Sequence, residues 1–101
     1  MPSVIFGMLQ EEKQRNLEMQ EAYRREIESL RKGSIMIKRV STHTYYYLRY
    51  REENKVRNDY IGKDAAAVEE IKRELEKRKY LQDVLKRLQL EYRQISIIVK
   101  D

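Results

Sequence analysis

The chain has 101 residues, 39% of them charged and 41% hydrophobic, which is one domain's worth of length with a thin core, so stability is expected to rest on helix pairing, within the chain or with a second copy. It contains no cysteine, which excludes disulfides, thiolate metal sites and cysteine nucleophiles. No apolar run approaches the roughly 20 residues of a membrane span, and the short stretch 4–9 lacks the basic flank and length of a secretion signal, so a cytoplasmic protein with no membrane partner is expected.

Residues 1–31 read as a helix. From residue 8 onward they are rich in Glu, Gln, Arg, Met and Leu, with neither Pro nor Gly. Phe6, Leu9, Tyr23, Ile27 and Leu30 keep helical spacing, and Lys13, Asn16 and Gln20 fill the same stripe between them. Gly33 is expected to end this helix as its C-cap residue.

Residues 34–61 change character. Ser34–Val40 is β-branched, Ser41-Thr42-His43 reads as a turn, and Thr44–Arg51 is too rich in Tyr to prefer a helix. Glu52-Glu53-Asn54 is read as a hairpin loop, and Lys55–Ile61 as a third strand. The connections are short, so the strands are expected to form an antiparallel meander.

Asp64 is a natural N-cap for a second helix over residues 64–93, with Val68, Ile71, Leu75, Leu81, Leu85, Leu88 and Tyr92 on its apolar positions. That helix is longer than the sheet it follows. Its first turns are expected on the sheet, and its later turns against the first helix or in a homodimer. The phase slips between Leu75 and Leu81, so the pairing is not a strict heptad coiled coil. Residues 94–101 are left open between helix, strand and frayed tail. The expected fold class is therefore α+β in the order αβββα, as a single domain.

The net charge of +5 is unevenly placed. Residues 32–63 hold eight Lys and Arg against three acids, and the segments on either side nearly cancel. Alternation along the strands sorts side chains by face. Ile35, Ile37, Tyr46, Leu48 and Tyr50 suit the core. Lys38, Tyr45, Tyr47, Arg49 and Arg51 fall outside, and Lys55 and Arg57 are assigned to the same outer face. Cations neutralise phosphates and release counterions. Tyr and Arg planes stack on unpaired bases, and a sheet laid in a major groove can bring Arg to guanine edges. An exposed antiparallel face with cross-strand Tyr–Arg packing also serves a thin sheet without any ligand.

Chemistry for catalysis is sparse. His43 is the only histidine, and no base or ligand partner adjoins it in sequence. The acid pairs Glu11-Glu12, Glu52-Glu53 and Glu69-Glu70 diverge on a helix or strand, and no Gly-rich phosphate loop occurs. A non-enzymatic protein without cofactor or metal is expected.

The segments Lys32-Gly33-Ser34-Ile35, Tyr45–Arg51, Lys55-Val56 and Tyr60-Ile61-Gly62-Lys63 resemble a family of short uncharacterised bacterial, archaeal and phage proteins, over about residues 32–90. The resemblance implies the strand-rich core followed by a Glu/Lys-rich helix, and no assigned activity. Three strands followed by a helix is also similar to the arm-binding domain of phage-type integrases, which lays its sheet in the major groove. The arrangement of Tyr-Leu-x-Tyr-Arg, Lys-Val-Arg and Gly looks like the start of some insertion-sequence transposases. Two functions follow as expectations: nucleic-acid binding, DNA ahead of RNA, for a bacterium or mobile element; or a protein-binding module, such as a phage-encoded inhibitor of a host nucleic-acid-processing defence enzyme.

Overall fold

A computed structural model describes residues 3–100. The elements are α1 (Val4–Ser29), β1 (Ser34–Val40), β2 (His43–Glu52), β3 (Lys55–Gly62) and α2 (Ala65–Ile98), the expected αβββα order. The chain divides into a helical unit, residues 1–29 with 80–101, and a sheet unit, residues 30–79.

In the helical unit, the Ser3 hydroxyl caps α1 by accepting from the Phe6 N–H at 3.0 Å. Ile27, Leu81, Leu88 and Val99 are buried, but so are Lys13, Asn16 and Gln20. These polar side chains lie on the apolar stripe and survive there because each has a partner. Asn16 Nδ2 donates to the Leu88 carbonyl at 2.9 Å, and Gln20 Nε2 donates to Asn16 Oδ1 at 2.7 Å. Lys13 Nζ donates to the Val99 carbonyl at 3.0 Å, just past the end of α2, where a cation meets the negative end of the helix dipole. The earlier residue of α1 thus meets the later residue of α2, so the two segments run antiparallel. Residues 94–98, left open by the sequence, continue α2.

In the sheet unit, the strands form an antiparallel sheet in the order β1-β2-β3. Asp64 caps α2, its Oδ1 accepting from the Ala66 N–H at 2.9 Å. Leu48 at the centre of β2 and Val68 in the second turn of α2 are buried. Leu48 also lines a cavity of about 380 Å³ with Ala67 and Ile71, so the first turns of α2 cover that face of the sheet. Ile35 opposite Leu48 is half-buried, but Ile37 is 58% exposed. Ile37 has the expected face and not the expected burial, because the outer half of β1 runs beyond the covered centre at Leu48.

Gly33 does not cap α1, which ends at Ser29. The Ser29 hydroxyl donates back to the Glu26 carbonyl, and Arg78 Nη1 donates to the Leu30 carbonyl at 3.0 Å. Gly33 instead sits at φ +119° against the backbone of β2, where a Cβ would lie 2.2 Å from the Arg49 carbonyl oxygen. Only glycine allows β1 to begin there.

Candidate nucleic-acid interface

The face of each strand residue follows from the register. Between β1 and β2 the pairs are Met36 with Tyr47, and Lys38 with Tyr45, so these four share one face with Arg49 and Arg51, as the sequence indicates. Between β2 and β3, Glu52 pairs with Lys55 and Tyr50 with Arg57. Lys55 and Arg57 therefore lie on the opposite face, with Leu48 and Tyr50, and their assignment to the outer face is corrected.

The reason is the length of one turn. Glu53 and Asn54 have φ of +48° and +67°, values that suit a two-residue type I′ hairpin, and Glu52 remains in the strand. Counting Glu52 as loop makes the connection three residues long. That one-residue change reverses every side chain of β3.

The corrected outer face gains Val56, Asn58 and Tyr60. Tyr60 pairs with Tyr47, and their ring centroids are 5.4 Å apart and tilted by 56°. Tyr45 lies 6.3 Å from Tyr60 on its other side. A bulge makes this possible: Tyr47 pairs with Tyr60 while Tyr46 pairs with Gly62, so Ile61 is the extra residue. Past the bulge Lys63 comes round to the same side, its Nζ 5.0 Å from the centroid of the Tyr45 ring. His43, expected in a turn, opens β2 and packs against Tyr45 at 6.3 Å.

This register separates the charges of the sheet by face. Glu52 and Asp59 sit on the helix-covered face, where Arg57 Nε is 3.9 Å from Glu52 Oε2. Hydrogen bonding to the Asp59 carboxylate, then the cost of desolvating the phenolate and the nearby charges of Asp59 and Glu52, raise the Tyr50 phenol above its usual range. Glu53 lies in the turn. Among the described residues the outer face thus carries Lys38, Arg49 and Arg51 with no strand carboxylate beside them. None of these three cations is in an ion pair.

Register also gives the face its relief. Along β2 the rows across the sheet read Met36–Tyr47–Tyr60, then Ser34–Arg49–Asn58. Small flanking side chains in the second row leave a shallow depression of about 430 Å³, lined by Met36, Lys38, Tyr47, Arg49 and Asn58 on this face. Met36 has the outer position the alternation of β1 indicates, though it was not counted among the binding residues, whereas Asn58, Tyr60 and Lys63 were not assigned to this face from sequence. A two-residue reading of the Glu53-Asn54 turn would have found the β3 residues, and the bulge that turns Lys63 inward has no comparable signal.

Among the described residues no helix is long and apolar enough to cross a membrane, and no group of His, Cys, Asp or Glu is placed to hold a metal ion. No curated protein and no solved structure matches the chain. One family, described as a domain of unknown function (DUF6788), matches residues 9–73, more than half of the chain. The matched span runs from the second turn of α1 through all three strands into α2, and contains every residue of the outer face; the chain belongs to this DUF6788 family.

Proposed function

We propose that this protein is a non-enzymatic, cytoplasmic nucleic-acid-binding accessory protein of a bacterium or mobile element, which binds through the outer face of its sheet. One observation carries the reading: Lys38, Arg49 and Arg51 stand unpaired around Tyr45, Tyr47 and Tyr60, on a face without a strand carboxylate. Three exposed cations on one face of an antiparallel sheet suit a phosphate backbone, and tyrosines between them suit bases. The likeness to integrase arm-binding domains and to the opening of some transposases supports DNA as the ligand, by analogy of fold alone.

The test is fluorescence anisotropy of labelled DNA and RNA at low and near-physiological salt. Affinity that falls steeply with salt, and a log–log slope shallower by about 1 for each of Arg49→Gln and Arg51→Gln, is the expected result. Arg57→Gln on the opposite face is the internal control and leaves the slope unchanged. Wild-type slopes in both outer-face variants would refute the reading.

A second reading has its own support. Val56 and Tyr60 on the same face are each more than half exposed, and apolar side chains among arginines and tyrosines suit a protein interface. A partner recovered after nuclease treatment, and lost in Val56→Glu, would favour a protein-binding module such as an inhibitor of a host defence enzyme.

A further inference from the structure

The outer face is neither flat nor uniformly convex, and its relief bears on which nucleic acid it takes. The bases of a duplex are stacked, and only their edges reach a groove. A sheet that reads edges projects side chains into the groove, and a depression at its centre would face empty space. An unpaired strand presents whole bases, which can leave the stack and enter a recess.

The recess on this face spans all three strands. Met36 and Tyr47 form its apolar side, Arg49 and Asn58 its polar side, and Lys38 lies at the rim. Its volume of about 430 Å³ is open to solvent and exceeds that of one base. The polar side offers the guanidinium donors of Arg49 and both the carbonyl and the amide of Asn58, which suits the mixed donor–acceptor edge of a base. Arg51 lies two residues beyond Arg49 on the same face, about 6.8 Å further along the strand, so a second cation follows the backbone past the recess. Charge also favours an anionic chain over a peptide here, since no strand carboxylate shares the face and the three cations are unpaired.

We infer that the outer face binds single-stranded nucleic acid, with one unstacked base held in the recess between Met36, Tyr47, Arg49 and Asn58. This inference rests on the nucleic-acid reading above and adds the strandedness of the ligand and the place where a base is held. The shared chemistry is an unpaired base on an anionic backbone, whether the sugar is deoxyribose or ribose.

The experiment uses the full chain and four labelled probes: dT15, rU15, a fifteen-unit abasic deoxyribose oligomer with the same phosphates, and a fifteen-base-pair duplex. Whichever of dT15 and rU15 binds more tightly identifies the sugar. The tighter of them is expected to bind roughly 5- to 150-fold more strongly than the abasic oligomer, and more strongly than the duplex. Asn58→Leu, which replaces the amide donor and acceptor of the recess with an apolar group of similar shape on an exposed strand, is expected to remove most of that difference while leaving abasic binding within about twofold of the wild type. Arg57→Gln, on the opposite face of the sheet, retains the difference. Equal binding of the base-bearing and abasic oligomers would overturn the recess and leave the phosphate-binding reading intact. Tighter binding of the duplex would overturn the single-strand assignment. No binding of any probe, even at low salt, would overturn both this inference and the reading on which it rests.

Discussion

Gly33→Ala tests the seating of the start of β1 against β2 with a magnitude that can be worked from geometry. At φ +119° an alanine is strained, which costs roughly 1–3 kcal/mol. Its Cβ would also lie 2.2 Å from the Arg49 carbonyl oxygen and 3.0 Å from Tyr50 Cβ. The first of these is more than 1 Å inside ordinary contact, and the obstacle is backbone, which cannot rotate away. Overpacking of that kind adds about 1–3 kcal/mol. The sum, about 2–6 kcal/mol, is a large part of the roughly 5–15 kcal/mol that holds a domain together. It corresponds to a fall in melting temperature of at least about 8 °C.

Gly62→Ala is the comparison. Gly62 has a similar φ of +128°, but the nearest atom to its Cβ would be Asp64 N at 3.9 Å, so only the strain applies. Thermal and urea denaturation followed by circular dichroism are expected to rank wild type above Gly62→Ala, and Gly62→Ala above Gly33→Ala by about 1–3 kcal/mol. A Gly33→Ala protein as stable as Gly62→Ala would show that the approach of Gly33 to β2 is not what holds β1 in place.

Three further outcomes follow from named contacts. Asn16→Ala leaves the buried Gln20 amide without its acceptor and is expected to cost about 1–3 kcal/mol in urea denaturation; a change under about 0.5 kcal/mol would mean the polar seam between the helices is idle. Asp64→Ala removes the cap on the Ala66 N–H and is expected to cost about 0.5–2 kcal/mol, whereas Asp64→Ser, which can still cap, stays within a few tenths; equal losses in the two would refute capping as the role. The Tyr50 phenol is raised in the fold, so its contribution is present below the ordinary value of about 10 and is lost as pH climbs from there through the raised value. Wild type is therefore expected to lose melting temperature more steeply above pH 10 than Tyr50→Phe, and parallel curves would count against the Tyr50–Asp59 hydrogen bond.

Local signals in the sequence determined a good deal. Tyr-rich and β-branched runs between Gly33 and Gly62 cannot hold a helix well, and the breaker-free stretches on either side have few other options, so αβββα follows from propensity and punctuation. Asp64 announced the second helix because a cap acts within three residues of itself. Alternation along β2 correctly separated Tyr45, Tyr47, Arg49 and Arg51 from Tyr46, Leu48 and Tyr50, since that period belongs to one strand alone.

What the sequence left open depends on partners distant in the chain. Lys13, Asn16 and Gln20 interrupt an apolar stripe, and nothing local says that Leu88 and Val99 supply carbonyls to receive them. Gly33 looks like a helix stop until the backbone of Arg49 is placed against it. Which side of the sheet Lys55 and Arg57 occupy turned on whether Glu52 pairs with Lys55 or leaves the ladder. A strand's alternation has no absolute phase: each strand's sequence says which residues lie together, and only pairing across the turn says on which face they stand.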